Sequence, residues 1–124
     1  MSDEPIGTRY TIIRPGVAPS KAETGCVDWP KKPGYKRIKN LVEPILGDYM
    51  EHVTVYWPSA ASATSGYTDM FVDGSGQLKR LPLNAFATRI YRHNWLVHEP
   101  EKAAASKLAT IRGIAVLFHR KVWY

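Results

Sequence analysis

The residues in this sequence best suited to chemistry are basic side chains interleaved with aromatic ones, in three groups. The first occupies residues 29–39, the second residues 89–95 and the third residues 120–124. Cations bind phosphates and carboxylates, whereas aromatic rings stack on bases or fill the hot spots of protein interfaces. The candidate binding residues are therefore Lys31, Lys32, Lys36, Arg37, Lys39, Trp29, Tyr35, Arg89, Arg92, Trp123 and Tyr124.

A purely structural explanation of these groups stays open. Lysines commonly solvate the outer face of a helix, and aromatic rings commonly fill a core. Trp57 and Tyr91 are expected to be core residues, whereas Trp123 and Tyr124 stand at the end of the sequence, where burial is harder to achieve. The groups therefore predict a contact surface for an anionic partner, with a solvated helix face as the alternative.

The histidines and serines do not form a catalytic or metal-binding pattern. His93 and His98 are five positions apart, so they do not share one helical face as a zinc-binding pair would. The serines cluster in residues 59–65, without the strand–turn–helix frame that a serine nucleophile needs. The sequence accordingly predicts a protein that is not an enzyme and has no metal site and no cofactor.

Two acid pairs and one glycine-rich loop offer weaker signals. Asp48 with Glu51 and Asp69 with Asp73 have the composition of general acid–base pairs, but acids in turns usually cap or solvate the backbone. Residues 73–76, Asp-Gly-Ser-Gly, could cradle a phosphate. A phosphate loop normally leads into a helix, however, and this loop leads into a β-like stretch. A hairpin turn, in which glycines supply positive φ, is the favoured interpretation.

Length, composition and charge indicate one small domain with an anionic partner. The 124 residues suffice for a single core and form one predicted domain, residues 1–124. A hydrophobic fraction of 44% is typical of a globular chain. Seventeen basic and eleven acidic residues give a formal net charge of +6, which favours association with nucleic acid or an acidic protein face. The single cysteine, Cys26, excludes an internal disulfide.

The N-terminal residues bear on localisation. The opening Met-Ser-Asp-Glu-Pro lacks the basic start and apolar core of a signal peptide. No apolar run in the sequence approaches the ~20 residues that a membrane span requires. We therefore expect a cytoplasmic protein that does not associate with membranes.

Residues 69–91 organise the predicted fold. Residues 69–72 are apolar and β-prone, and residues 77–81 alternate between polar and apolar side chains, so both are predicted strands joined by a turn at residues 73–76. A helix is predicted from about residue 84 to residue 93, with Asn84 as its N-cap because its side-chain oxygen can accept from free backbone N–H groups.

Hydrophobic periodicity predicts the remaining elements. Apolar residues recur at helical spacing over residues 35–46 and alternate over residues 51–57 as in a half-buried strand. The almost unbroken apolar run at residues 111–118 predicts a central strand covered on both faces. A strand at residues 9–13, a helix at residues 99–108 and flexible loops at residues 17–33 and 58–66 complete the prediction. The residues predicted to be buried are Ile38, Leu41, Val42, Ile45, Val53, Val55, Ile114, Val116 and Phe118.

These elements predict an α+β domain. Their order is β-α-β-β-β-α-(α)-β, in which the third and fourth strands form a hairpin. The expected architecture is an antiparallel or mixed sheet of about five strands, with two or three helices packed on one face.

Several short motifs carry a resemblance to a known family. Residues 81–88, Leu-Pro-Leu-Asn-Ala-Phe-Ala-Thr, are similar to the signature Leu-Pro-x-Asn-x-x-Ala-Thr of small domains of unknown function carried by phages and plasmids. Residues 13–16, 46–51 and 111–114 match that family in the same order. The sequence departs from the family by long insertions at residues 17–33 and 58–66 and by its basic aromatic tail.

The resemblance implies an origin in a mobile genetic element and no assigned activity. Together with the charge, it leads us to expect a non-catalytic accessory protein that binds an anionic surface of a host protein or protein–nucleic-acid complex. An anti-defence inhibitor acting in the cytoplasm of a bacterial host would need such a surface. The first alternative is direct nucleic-acid binding, and the second is a small-ligand or nucleotide-binding module.

Overall fold

The protein is built around a single β-sheet in a computed structural model that describes residues 4–56, 67–98, 101 and 110–124. The strands are β1 (Ile6–Ile13), β2 (Glu23–Trp29), β3 (Met50–Tyr56), β4 (Tyr67–Asp73) and β5 (Ala115–Phe118). The helices are α1 (Tyr35–Leu46) and α2 (Ala85–His98), with a short 3-10 helix at Pro19–Lys21. All strand pairs are antiparallel, and the sheet order is β2-β1-β5-β4-β3. The predicted α+β class is confirmed.

β5 lies at the centre of the sheet, between β1 and β4. All four of its residues are buried, as expected for a strand that is apolar on both faces. The predicted central strand is confirmed over Ala115–Phe118, but residues 111–114 lie outside it. Gly113 adopts a positive φ of 85°, and its N–H bonds to the carbonyl of Pro82 instead of to a neighbouring strand.

Within the described ranges, α1 and α2 cover opposite faces of the sheet, so the predicted packing of the helices on one face is not confirmed. Side chains of α2 pack against one face of β4 and β5, and side chains of α1 pack against the other. The first core cluster includes Met70, Val72, Ala87, Ile90, Ala115 and Leu117. The second includes Trp29, Ile38, Val42, Phe71, Val116 and Phe118. Neighbouring residues of a strand point to opposite faces, so strands apolar at every position require cover on both.

α1 has the bounds that its periodicity predicts. Ile38, Val42 and Leu46 form its buried stripe. Pro44 is accommodated in the last turn, and Gly47 ends the helix in the left-handed conformation, with its N–H bonded to the carbonyl of Glu43 at 2.8 Å.

β2 lies within residues 17–33, which the sequence predicted to be a flexible loop, so that prediction is wrong. The strand pairs with β1 over seven residues, from Ile6 opposite Trp29 to Ile12 opposite Glu23. It is an edge strand with one neighbour, and its exposed residues are mostly polar, so its sequence lacks the apolar alternation of an inner strand. At Gly25 the Tyr10 ring occupies the space that a Cβ atom would take.

Residues 77–81 form a turn rather than the predicted strand, and the predicted hairpin with residues 69–72 is therefore also wrong. The backbone N–H of Lys79 bonds to the carbonyl of Ser75, and that of Leu81 bonds to the carbonyl of Gly76. The alternation that suggested a strand arose from Leu78, whose side chain is 87% exposed. β4 instead pairs with β5 on one side and with β3 on the other, where Met50 lies opposite Asp73 and Tyr56 opposite Tyr67.

The predicted strands at residues 9–13 and 51–57 correspond to β1 and β3 over the described residues. The helix predicted at residues 84–93 is α2, which extends to His98. Of the predicted core, Ile38, Val42, Val55, Val116 and Phe118 are buried, and Leu41, Ile45, Val53 and Ile114 are partly buried. Trp57, the loop at residues 58–66 and, apart from Glu101, the helix at residues 99–108 lie outside the described residues.

The glycines of the 73–76 loop are required by close approach rather than by positive φ. Neither Gly74 nor Gly76 has a positive φ. A Cβ atom at Gly76 would lie 2.6 Å from the backbone oxygen of Arg112, whereas one at Gly74 would meet the Tyr49 ring. A half-exposed ring can rotate away more easily than a backbone carbonyl can.

We therefore predict that Gly76→Ala lowers the free energy of unfolding by about 1–3 kcal/mol, the usual cost of overpacking. Gly74→Ala should cost less. Urea denaturation of both variants measures the difference. A Gly74→Ala variant less stable than Gly76→Ala would contradict this interpretation of the loop.

Candidate anion-binding surface

Arg120 joins the segment that follows β2 to the tail, which comprises residues 119–124 after β5. Its guanidinium donates to the carbonyl of Pro30 at 3.0 Å and to the carbonyl of Lys31 at 2.9 Å. It also donates to the Thr8 hydroxyl at 3.0 Å and to the carbonyl of Lys121 at 2.8 Å. Burial lowers the pKa of Arg120 from its usual value, yet an arginine remains protonated in proteins. This side chain therefore holds the first and third basic groups together, although about 90 residues separate them in sequence.

Asp69 fixes the other side of the same tail. One carboxylate oxygen accepts the backbone N–H groups of Val122 at 2.8 Å and Trp123 at 2.9 Å. The other oxygen lies 2.7 Å from Nε2 of His52. Burial acts to raise the pKa of Asp69, but the hydrogen bonds from His52, Trp123 and Val122 outweigh it and hold that pKa below its usual value. The Trp123 ring stacks on His52 with 4.8 Å between centroids and an interplanar angle of 13°.

A cleft of about 220 Å³ opens where the tail meets the start of α1. Its lining includes Lys32, Tyr35, Trp123 and Tyr124. The Tyr35 ring meets Trp123 edge-on at 6.1 Å. Tyr35 and Tyr124 are 56% and 57% exposed, so both rings are accessible beside the cleft.

Lysine ammonium groups lie over both exposed rings. Nζ of Lys32 and Nζ of Lys121 are 5.4 Å and 5.3 Å from the centroid of Tyr124. Nζ of Lys39 is 5.8 Å from the centroid of Tyr35. These distances are in the range of cation–π contacts. The region, called here the basic–aromatic surface, comprises Lys31, Lys32, Tyr35, Lys36, Arg37, Lys39, Lys121, Trp123 and Tyr124.

Positive charge is concentrated on the basic–aromatic surface. Six exposed cations belong to it: Lys31, Lys32, Lys36, Arg37, Lys39 and Lys121. The other eleven basic residues of the chain balance its eleven acidic residues. Within the described part of the chain, none of the six is ion-paired with a carboxylate. Their field is therefore available to an anionic partner.

Three of the candidate residues lie elsewhere. Trp29 is only 6% exposed, and its ring packs 5.5 Å from that of Phe118, so this candidate binding residue belongs to the core. Arg89 and Arg92 project from α2 and line a separate cleft on the opposite face of the sheet. The sequence did not reveal that these arginines and the lysines of α1 lie on different sides of the domain, because that depends on the sheet between the helices.

Asp48 and Asp73, which belong to different acid pairs in the sequence-based interpretation, share Lys79 as an ion-pair partner in the structure. Lys79 bridges Asp48 at 2.9 Å and Asp73 at 2.8 Å. Hydrogen bonds from Lys79, Ser75 and the Tyr49 backbone lower the pKa of Asp48 to about 2. Hydrogen bonds to Asp73 and Asp48 raise the pKa of Lys79. Asp48 and Lys79 therefore stay charged near neutral pH, which suits a structural bridge and does not suit proton transfer.

The same network accounts for the glycine-rich loop. The N–H of Ser75 bonds to the Asp73 carboxylate at 2.8 Å, and the N–H of Gly76 bonds to the Asp73 carbonyl at 3.1 Å. The N–H of Gly74 bonds to the carbonyl of Tyr49. A phosphate cradle requires free N–H groups, and those of this loop already have protein acceptors.

Residues 81–88, which carry the family resemblance, have a structural role. Oδ1 of Asn84 accepts the N–H of Ala87 at 3.1 Å, so the predicted N-cap is present. Nδ2 donates to the carbonyl of Ile13 at 2.8 Å and to that of Gly113 at 2.9 Å. The Thr88 hydroxyl accepts the N–H of Ile111 at 2.8 Å. The segment thus joins α2 to β1 and to the chain that leads into β5.

Comparisons with family models, curated protein sequences and solved structures give no significant match to this chain. Among the described residues, no three histidine, cysteine, aspartate or glutamate side chains lie close enough together to hold a metal ion. Neither helix in the described ranges is long and apolar enough to cross a membrane.

Proposed function

We propose that this protein is a non-catalytic binding protein whose basic–aromatic surface docks on an anionic surface of a macromolecular partner. The observation that carries the proposal is the convergence of α1 and the tail, where lysines that form no ion pair within the described ranges lie over exposed tyrosine rings. Such cations steer an acidic partner toward the surface and raise the association rate. The aromatic rings then supply contact area at low cost in side-chain entropy.

The attachment of the tail supports the proposal. Arg120, within the tail, donates to the backbone carbonyls of the segment that follows β2. Asp69 of β4 accepts two backbone N–H groups of the tail. A surface that is already ordered before binding loses less conformational entropy when a partner arrives. A small-ligand module is less consistent with the cleft, because sites for drug-sized ligands occupy about 300–1,000 Å³ and this cleft measures about 220 Å³.

The setting of the proposal comes from the resemblance of residues 81–88 to phage- and plasmid-borne domains. We propose an accessory protein of a mobile genetic element that acts in the cytoplasm of a bacterial host. Its partner is a host protein or protein–nucleic-acid complex with an acidic surface. Inhibition of a host defence complex is a role that fits both an origin in a mobile genetic element and a binding surface without catalysis.

Charge reversal of Lys36 and Arg37 tests the function. Both side chains are exposed at the start of α1, so the double Glu variant should change the free energy of unfolding by only about 0.5 kcal/mol. The association rate with the captured partner should fall about tenfold or more, because steering by charge raises such rates by 10–10³. Affinity capture from a bacterial lysate followed by surface binding kinetics at two salt concentrations measures the effect.

A matched control carries the same change in charge at a different place. Lys21→Glu with Arg89→Glu also replaces two exposed cations, one in the turn between β1 and β2 and the other on α2. This control should bind like the wild type. Equal loss in both double variants would mean that only net charge matters, and no loss in either would refute the proposed function.

A further inference from the structure

We propose that the anionic partner presents single-stranded nucleic acid, with one base inserted in the cleft beside Tyr35, Trp123 and Tyr124. The neighbouring phosphates would contact Lys32, Lys39 and Lys121. This inference rests on the proposed function and names the chemistry that the basic–aromatic surface recognises. It is carried by the juxtaposition of exposed aromatic rings, lysines without a carboxylate partner among the residues that the structure describes, and a cleft of limited size.

The aromatic rings provide the stacking part of the site. Tyr35 and Tyr124 are more than half exposed, and Trp123 is held in place by its stack on His52 and its backbone bond to Asp69. Proteins that bind single strands combine such rings with a positively charged groove that follows the backbone. The ammonium groups over Tyr124 are flexible lysine termini. A base can therefore take their position on the ring while the ammonium groups move to the flanking phosphates.

The type of cation distinguishes this surface from a typical protein interface. Protein interfaces are enriched in arginine and depleted of lysine. Of the six exposed cations, five are lysines, and the one arginine, Arg37, donates to the carbonyl of Pro33 at 3.1 Å. Arg120 is also occupied with backbone carbonyls. Lysines act as point charges for phosphates, so this composition favours a phosphate backbone over an acidic protein face.

The size of the cleft limits the ligand to one ring-sized group at a time. Its volume of about 220 Å³ is below the range for whole small ligands. The rest of a bound strand must therefore lie outside the cleft, where the six cations are. In a duplex the bases are paired and stacked inside, so they are not available to rings on a protein surface. We therefore expect a preference for single strands.

Fluorescence anisotropy with a labelled single strand of about 12 nucleotides, and with the corresponding duplex, tests the inference. Wild type should bind the single strand more tightly than the duplex. Tyr124→Ala should weaken binding of the single strand about ten- to hundredfold, the usual effect of removing one stacking ring. Tyr124→Phe should bind like the wild type. Lys32→Gln should reduce the slope of log affinity against log salt by about 0.7, as expected for one lost phosphate contact.

Tyr49→Ala is the matched control, because Tyr49 is 54% exposed and belongs to the turn between α1 and β3. It should leave binding unchanged, and thermal melts of all variants should show that they are folded. Equal binding of single strand and duplex, unchanged binding by Tyr124→Ala, or absence of binding by the wild type would overturn the inference. In that case, capture from nuclease-treated lysate separates the two proposals. If the wild type captures a partner that the Lys36→Glu, Arg37→Glu variant does not, the proposed function stands with a protein as the partner. If that variant loses nothing, the proposed function fails as well.

Discussion

Replacing Asn84 by alanine is expected to lower the free energy of unfolding by about 3–5 kcal/mol, one of the two largest effects that we predict. The side chain is 1% exposed and makes three hydrogen bonds. Loss of the N-cap of α2 costs about 0.5–2 kcal/mol. The carbonyls of Ile13 and Gly113 would also lose their bonds to Nδ2, and each buried group left without a partner costs about 1–3 kcal/mol.

Two further variants separate these contributions. Asn84→Ser keeps an oxygen that can accept the N–H of Ala87 but does not bridge the two carbonyls, so it should recover about 1 kcal/mol of the loss. Asn40→Ala removes an exposed asparagine from α1 and should change stability by only about 0.5 kcal/mol. Chemical denaturation of the three variants provides the comparison. If Asn84→Ala were as stable as Asn40→Ala, Asn84 would have no role in joining α2 to the sheet.

Replacing Asp69 by alanine is expected to release the tail and to lower the free energy of unfolding by about 2–4 kcal/mol. The N–H groups of Val122 and Trp123 would lose their acceptor, and each buried donor without a partner costs about 1–3 kcal/mol. The Trp123 stack on His52 should loosen, so hydrogen exchange of the Val122 and Trp123 amides should accelerate. Binding at the basic–aromatic surface should weaken in parallel.

Asp69→Asn is the conservative control, because its side-chain oxygen can still accept both N–H groups. It should lose about half as much stability as Asp69→Ala and keep most of the binding. Full binding by Asp69→Ala would show that the position of the tail is irrelevant to function.

Asp69 also makes a defined contribution to acid stability. Its pKa is lower in the folded protein than its usual value of 3.8, so its stabilising effect is present above pH 3.8. That effect is lost as the pH falls through the folded pKa. Asp69→Asn does not have this titration, so its melting temperature should fall less steeply than that of the wild type below pH 4. Asp48, with a pKa of about 2, titrates in a neighbouring range, and Asp48→Asn should be measured beside it.

The sequence alone determined the elements whose signals are local. The spacing of Ile38, Val42 and Leu46 defined α1, because a helix that buries one face repeats its apolar residues every 3.6 positions. The unbroken apolar run Ala115–Phe118 identified a strand covered on both sides. The N-cap at Asn84 also followed from the chemistry of one residue.

Only the tertiary structure determined how those elements meet. β2 has few apolar residues, so its sequence carries no apolar periodicity. It is held in the sheet by pairing with its single neighbour, β1, and by the close approach of the Tyr10 ring to Gly25. α1 and α2 lie on opposite faces because the sheet between them is apolar on both faces and needs cover on each. The candidate site depends on Arg120 and Asp69, which contact residues distant in sequence. Such contacts leave no periodic signal, because each depends on strand pairing and packing across the whole domain rather than on neighbouring residues.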